Sequence, residues 1–309
     1  MELFHSINSF KSSKSTVVTI GTFDGVHLGH QKILEQIITE AKENNFESLV
    51  LTFFPHPRTV LQEGSEMKQL STIDEKIQLL TTIGIDNLII HPFDKAFSRL
   101  TAEEFVEQVL VNTFNIKKII IGYDHRFGRN RTATIDDLIS FGLKYNFEVI
   151  QISAKEINEV SISSTKIRTA LEEGNITLAN NFLGYNYSLT GKVVKGKQLG
   201  RTIGFPTSNI VLEEDYKLIP KNGVYIVESF VEDKKVLGMM NIGTRPTVDG
   251  TTQTIEIHFL NLDTNLYDST ITISILKAIR EEVKFESLDA LKIQLAKDKK
   301  TTEDYFHQL

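Results

Sequence analysis

The sequence predicts an α/β domain with a parallel sheet, followed by a small antiparallel β-barrel that ends in a helix. Three observations support this. Strand-like and helical patterns alternate in the first half, which is typical of a parallel sheet with crossover helices. Short strand-like segments separated by turn signals replace that alternation in the second half. The length of 309 residues suits about two domains, which we predict at residues 1–185 and 186–309.

The first half begins with the apolar segments TVVTI and SLVLTFF, which predict buried strands on either side of an amphipathic helix. Thr101 and Glu104 have the spacing of a capping box, and an apolar helix face follows them. KKIIIGYD and FEVIQIS predict two more strands. Ligands of such sheets bind beyond the carboxyl ends of the strands, so we expect the polar loops that follow these strands to converge.

The first predicted domain ends with two helices, one over residues 165–173 and one that ends at Gly184. Predicted barrel strands follow at SLTGKVV, GVYIVESFV, KVLGMMNIG, QTIEIHFL and STITISIL. A closing helix is predicted to begin at Ser287, with Leu288, Leu291 and Leu295 on one apolar face.

The composition restricts the possible functions. A formal net charge of -6 argues against a broad basic surface, so we expect no nucleic-acid partner. No apolar segment approaches the roughly 18 residues of a membrane span, and no signal peptide is recognisable, so we expect no membrane association. The sequence contains no cysteine, which excludes thiol chemistry and fits a reducing, cytoplasmic location. Anionic small molecules remain possible ligands.

The first candidate site is the segment GTFDGVHLGHQ, where a predicted strand gives way to a helix. Gly25 and Gly29 allow the backbone to approach a ligand, and the helix start offers free N–H groups and partial positive charge. His27 and His30 therefore suggest a polyphosphate site. Two alternatives are ordinary surface or core histidines and a zinc pair, although no third zinc ligand is evident. A Walker A loop is absent, because no G-K-[ST] follows.

The second candidate site is the glycine-rich segment GKVVKGKQLGRTIGFPTSN at residues 191–209. Its cations, Lys195, Lys197 and Arg201, suggest a flap that covers a phosphate. The alternative is an ordinary barrel loop with solvated lysines, and composition alone does not decide between the two.

The first segment resembles the H-x-G-H signature of adenylyl-transferring nucleotidyltransferases. TFFPHPR, GYDHRFGRNR and SISSTKIR resemble further motifs of the bacterial bifunctional riboflavin kinase/FAD synthetase family, in matching order and spacing. The resemblance implies a Rossmann-like domain that transfers AMP from ATP to FMN and releases pyrophosphate. The FMN phosphate is already an anion, so this step needs alignment and charge stabilisation and no general base.

The resemblance also implies residue roles in this domain. The alternative for Arg168 is an ordinary surface residue of a helix. The alternative for Pro55-His56-Pro57 is a rigid turn without a binding role. The implied catalytic residues are His27, His30 and Arg168, the ATP-binding residues are Gly21, Phe23, Asp24, Asp124, Ser163, Ser164 and Thr165, and the flavin-binding residues are Pro55, His56, Pro57 and Phe127.

The second segment resembles the riboflavin kinase domain of the same family, through G-x-V-x-x-G and G-R-x-x-G-F-P-T-x-N. GVYIV, NIGTRPT, TIEIHFLNLD and IREEVKF extend the resemblance almost to the C-terminus. Ser208 stands where the family usually has alanine, between two functional positions, and we expect little effect. The implied reaction is phosphoryl transfer from ATP to riboflavin.

An alcohol nucleophile benefits from a general base, and the resemblance places Glu256 in that role. In TIEIHF, Ile255 and Ile257 are expected on one face of a strand and Glu256 with His258 on the other. The role of a base would place Glu256 inside the barrel, where a carboxylate is costly unless it has a function or a partner. From pattern alone, Glu256 is instead an outward-facing residue of an amphipathic strand. Thr207 and Asn209 supply neutral oxygens suited to Mg²⁺. The implied ATP- and flavin-binding residues of the kinase are Gly191, Gly196, Lys197, Gly200, Arg201, Gly204, Pro206, Asn241, Arg245 and Arg280.

The expected substrates are thus ATP, riboflavin and FMN, with Mg²⁺ as cofactor. Three other hypotheses compete with a two-step flavin enzyme. One is a chain with a single live activity. Another is a flavin-binding regulator, which needs neither Glu256 nor the histidine pair. The third is a class I aminoacyl-tRNA synthetase, which the short length, the acidic balance and the absence of K-M-S-K-S oppose.

Overall fold

The computed structural model describes residues 1–62, 64, 66–122, 126–153, 162–196, 198–247 and 250–307, with backbone alone at 199, 245–247 and 250–252. The chain forms two compact units, Met1–Ser164 and Thr165–Leu309. The division falls earlier than residue 185, because the two helices after Ser164 group with the second unit. The predicted domain boundary stays a prediction.

The first unit is built on a six-stranded parallel sheet with the order β1-β4-β3-β2-β5-β6. The chain runs from β2 to β3 and β4 on one side, then returns to the other side of β2 for β5 and β6. Adjacent β2 and β5 thus form the switch point at which such sheets bind ligands. The strands are β1 (Glu2–Phe4), β2 (Thr16–Ile20), β3 (Glu47–Phe54), β4 (Asn87–Pro92), β5 (Ile116–Gly122) and β6 (Glu148–Ile152).

Helices cover both faces of this sheet. Successive residues of β2 show the two-sided burial, since Val17 and Val18 are both fully buried and pack in different core clusters. The capping box predicted at Thr101 and Glu104 is confirmed, and its helix continues as a π-helical turn over Val106–Val111. The helices are α1 (Leu28–Asn44), α2 (Pro57–Leu61), α3 (Ile73–Ile83), α4 (Ala102–Phe105) and α5 (Ile135–Tyr145), and α6 (Ser164–Glu172) begins at the unit boundary.

The second unit is a closed six-stranded antiparallel barrel with the order β10-β11-β8-β7-β12-β9. The predicted fold class is therefore confirmed for both halves. The strands are β7 (Ser188–Val194), β8 (Ser208–Leu212), β9 (Gly223–Val231), β10 (Lys234–Thr247), β11 (Gly250–Phe259) and β12 (Thr270–Glu281), and the helices are α7 (Ile176–Leu183), α8 (Leu199–Thr202) and α9 (Leu288–His307).

The C-terminal helix α9 is held to strand β12 by a buried ion pair. Ser287 accepts a hydrogen bond from Ala290 N at 3.1 Å, which confirms the predicted helix start. Leu288, however, is 65% exposed, so the predicted apolar face is wrong at that position. The buried residues of α9 are Asp298 and Thr302. Asp298 tolerates burial because Arg280 of β12 donates to both of its carboxylate oxygens, at 2.8 to 3.1 Å.

Candidate active sites

The loop between β2 and α1 has an unusual backbone. Phe23 and Val26 adopt positive φ angles of 45° and 37°, which side-chain-bearing residues rarely do, and Gly25 adopts 78°. This turn ends at His27, the N-cap residue of α1. The conformation has to be held by surrounding groups, and it sets the positions of the two histidines.

The two histidines lie against each other. Their rings are stacked, with centroids 3.7 Å apart and planes 16° apart. His27 Nδ1 accepts a hydrogen bond from His30 N at 3.4 Å, and the Phe23 ring lies 5.1 Å from the His30 ring. Within the described part of the chain, His30 Nδ1 is buried without a hydrogen-bond partner. A buried polar atom of this kind usually has a ligand or water to bond in the working protein.

His30 is uncharged at neutral pH. Burial lowers its pKa well below the ordinary value of 6.5, and the nearby His27 and Lys76 lower this pKa further. A neutral imidazole keeps one N–H donor and one acceptor. His30 therefore suits hydrogen bonding to an anion and does not bring a full positive charge.

Asp24 holds the turn through hydrogen bonds to the segment that precedes α3. Its carboxylate is 1% exposed, and Oδ1 accepts hydrogen bonds from Leu70 N at 2.9 Å and Ser71 N at 3.3 Å. Gly25 N donates to Ser71 Oγ at 3.2 Å, and Ser164 Oγ donates to Asp24 O at 3.1 Å. These contacts support a structural role for Asp24. Its implied role in ATP binding stays a prediction.

The sequence analysis missed Lys76, which lies in the first turns of α3. Its side chain is 1% exposed, and Nζ donates to Thr22 O at 2.8 Å. In the sequence it follows Asp74 and Glu75 and looks like one charge on a solvated helix face, so no local signal could have found it.

The remaining predicted residues of the first unit occupy varied positions. Gly21 directly follows β2, and a Cβ there would lie 3.1 Å from the Phe23 ring. His56 Nδ1 accepts from Arg58 N at 3.1 Å and caps α2, in which Pro57 is the first residue. The cis peptide before Pro55 completes this turn. Phe127 is buried in the core beside Phe105. These positions support packing roles, and flavin binding stays a prediction for them.

The kinase candidates form a row on one strand face of the barrel. Glu256 of β11 pairs directly with Asn209 of β8 on one side and with Asn241 of β10 on the other. Directly paired residues present their side chains on the same face, about 5 Å apart. Thr207 Oγ1 donates to Glu256 Oε2 at 3.4 Å. Three predicted residues thus surround the proposed base.

Glu256 does not lie inside the barrel. Its neighbours Ile255 and Ile257 are buried in the core, whereas Glu256 and His258 are half-buried on the opposite face. The expected alternation is confirmed, and the expectation of an interior carboxylate is wrong, because the apolar residues fill the interior. A half-buried carboxylate can be reached by a substrate.

The glycine-rich loop closes over this row. A Cβ on Gly196 would lie 2.2 Å from Asn209 Nδ2, and one on Gly200 would lie 2.1 Å from Phe205 O. Larger residues would push the loop away from the row. His258 contacts the carbonyl of Pro206 through Nδ1 at 2.8 Å, which ties the segment before Thr207 to β11.

Comparisons with known proteins match the two halves of the chain to two family models. The FAD synthetase family model matches residues 9–166, and the riboflavin kinase family model matches residues 183–306. A curated relative from Buchnera aphidicola (subspecies Schizaphis graminum) is 40% identical, with 99% of each chain covered. One from Escherichia coli K12 is 37% identical over 99% of this chain and 98% of its own. Both are described as bifunctional riboflavin kinase/FMN adenylyltransferase.

The chain belongs to this bifunctional family. Its two halves correspond to the two transferase activities of the family, a kinase and a nucleotidyltransferase.

The fold recurs in a solved structure from Streptococcus pneumoniae that is described as a macrolide-efflux protein. It has a TM-score of 0.90 and 30% identity, with 98% of both chains covered. Among the described residues, no helix has the length and apolar character to cross a membrane.

The other residues implied by the family are distributed over both units. Asp124 and Lys197 lie outside the described residues, as does the side chain of Arg245. Thr165 and Arg168 belong to the second unit, and Ser163 to the first. Arg280 is engaged with Asp298, which favours a structural role. Gly191 lies in β7, whereas Arg201 lies in α8 and Gly204 shortly follows it.

The oxygen groups around Glu256 fit a magnesium ion. Thr207 and Asn209 offer neutral oxygens, and Asn209 lies directly across the strand pair from Glu256. Hard oxygen donors of this kind suit Mg²⁺ that keeps waters and phosphate oxygens as its other ligands. The described residues contain no group of three or more His, Asp or Glu side chains placed to hold a metal by themselves.

Proposed function

We propose that the second unit of this chain phosphorylates riboflavin with ATP and that the first unit transfers AMP from a second ATP to FMN. The observation that carries the proposal is that each unit contains its own set of polar groups of the type its reaction requires. The first set is a stacked histidine pair at a helix start, and the second is a reachable carboxylate beside neutral oxygens.

In adenylyl transfer, the FMN phosphate oxygen attacks the α-phosphorus of ATP and pyrophosphate leaves. Both reactants are anions, so the site has to align them and stabilise the charge that develops on the α-phosphate. His30 suits this task as a neutral donor whose buried Nδ1 has no hydrogen-bond partner among the described residues. The first N–H groups of α1 have no acceptor within the helix and can serve the same anion.

In phosphoryl transfer, the riboflavin 5′-hydroxyl attacks the γ-phosphorus of ATP and ADP leaves. Glu256 accepts the hydroxyl proton as the new P–O bond forms. The hydrogen bond from Thr207 orients one carboxylate oxygen of Glu256. Thr207 and Asn209 would hold Mg²⁺, which neutralises phosphate charge when bound. The absence of cysteine from the sequence supports a cytoplasmic site for both reactions.

The test is a chromatographic time course of the purified chain with riboflavin, ATP and Mg²⁺, with a parallel reaction that starts from FMN. We expect FMN to appear first and FAD to replace it, and we expect FAD directly from added FMN. FMN that accumulates without FAD would contradict the assignment of the first unit. FAD from added FMN without turnover of riboflavin would contradict the assignment of the second.

A further inference from the structure

Lys76 is a buried charge with no role in the proposed reaction so far. Its backbone N–H donates to Thr72 O in the first turn of α3, and its side chain runs inward to Thr22 O, 2.8 Å from Nζ. Burial lowers the pKa of this ammonium group from 10.5 to about 8, and the nearby Asp24 carboxylate opposes the shift. The group is therefore charged at neutral pH, although its surroundings disfavour the charge.

Packing alone does not explain a lysine at this position. Leu80, one turn further along α3, is fully buried, and the residues around it form an apolar core cluster. A methionine would fill similar space without a buried charge. The lysine differs from a methionine in one useful way, because it donates a charged hydrogen bond to a loop carbonyl.

The loop that receives this bond is the turn under the histidine pair. Thr22 directly precedes the positive-φ residue Phe23, and Asp24 directly follows it. Lys76 bonds the backbone before the strained residue, and its charge balances the carboxylate after it. The segment from Leu70 to Lys76 therefore holds the turn through hydrogen bonds with Thr22, Asp24 and Gly25.

We propose that Lys76 is a positioning residue for adenylyl transfer, which fixes the turn that places His27 and His30 without itself contacting ATP. This inference rests on the proposed assignment of the histidine pair to the ATP phosphates. A misplacement of about 1 Å can lower a rate about 100-fold, so the loss of the anchor is expected to act on catalysis more than on substrate affinity.

The expected result for Lys76→Met is a kcat for FMN adenylylation about 10- to 100-fold lower, with the KM for ATP changed less than about 3-fold. Riboflavin phosphorylation by the same molecules is expected to stay unchanged. Two matched controls are Gln78→Met, at an exposed position of α3, and Lys42→Met, which removes one exposed positive charge from α1. Both are expected to keep wild-type rates.

The pH profile separates the charged anchor from simple packing. The titratable groups near Lys76 are Asp24 on the loop and His30 on α1, while Asp74 and Glu75 are on its own helix. We expect wild-type kcat/KM for ATP to fall as the pH rises above about 8, where the ammonium group loses its proton. The profile of Lys76→Met is expected to lack this fall.

The outcomes are distinguishable. Wild-type kcat in Lys76→Met across this pH range would overturn the inference, as would a change confined to KM. If circular dichroism shows that the variant is misfolded, the wild-type profile decides: a fall above about pH 8 supports the inference, and a flat profile overturns it. No FAD from FMN in the wild type would overturn the assignment of the site itself, and this inference with it.

Discussion

The two units place their ionisable groups differently around their sites. In the first unit Asp24, His27 and Lys76 are all 5% exposed or less and lie around a single loop. In the second unit the proposed base Glu256 is half-buried on a strand face, and the deeply buried carboxylate, Asp298, joins β12 to α9. One unit buries charges at its site, and the other keeps its site carboxylate reachable.

The difference follows from the two nucleophiles. A phosphate nucleophile needs no base, so the first unit can use buried groups to hold a strained turn in one conformation. An alcohol nucleophile has to transfer a proton, so the base must lie within hydrogen-bond reach of the substrate. Two sites that both use ATP are therefore built on opposite patterns of burial.

The largest expected effect is that of Glu256→Gln. The amide keeps the shape and cannot accept the proton, so riboflavin phosphorylation should slow by about 10²- to 10⁴-fold, while adenylylation of added FMN continues. Both rates are measured on one preparation, with the exposed Glu214→Gln as the control. FMN formation at the wild-type rate would show that Glu256 is not the base.

The reciprocal change is His30→Ala. It removes a neutral donor from the histidine pair, and FMN adenylylation should fall by about 10²- to 10³-fold with riboflavin phosphorylation retained. The exposed His5→Ala is the control, and circular dichroism verifies that the first unit is folded. If both activities fell together, the separation of the two sites would be wrong.

The sequence predicted the features that depend on local periodicity. Short runs rich in apolar and β-branched residues indicated β2, β7 and β9, and the spacing of Thr101 and Glu104 indicated a helix start. The short strand β8 was missed. Its side chains alternate less regularly, and its Asn209 pairs with Glu256 and is not buried in a core.

Buried charges could not be predicted from the sequence. Lys76 follows two acidic residues, and its acceptor Thr22 is 54 positions away in the chain. Asp298 lies in a run of charges, and its partner Arg280 is 18 positions away. A charge is buried only where the folded chain supplies partners, and local pattern does not contain that information.

The next largest effect is on stability and concerns the ion pair between Arg280 and Asp298 in the second unit. Asp298→Asn should lower the free energy of unfolding of that unit by about 3 kcal/mol, because Arg280 loses its buried counter-charge. Urea unfolding measures the change. Glu303→Gln breaks the exposed pair with Lys299 on the same helix and should cost less than about 1 kcal/mol. Equal effects of the two changes would mean that burial of the pair does not matter.

The smallest expected effect tests the buried charge of the first unit through pH. The pKa of Lys76 is about 8 in the folded chain and about 10.5 when unfolded, so the unfolded state binds more protons between these values. Stability therefore rises with pH across this window, as the penalty for a buried ammonium group disappears.

Relative to Lys76→Met, the free energy of unfolding of the wild type should rise by about 2 kcal/mol between pH 7 and pH 10. Urea unfolding of both proteins at several pH values gives the difference, and groups that titrate in both cancel. If the free energies of unfolding of the two proteins change with pH in parallel, the buried charge of Lys76 does not destabilise the folded chain. A rising difference, together with lost adenylylation in Lys76→Met, would mean that the first unit keeps a destabilising charge because its site requires it.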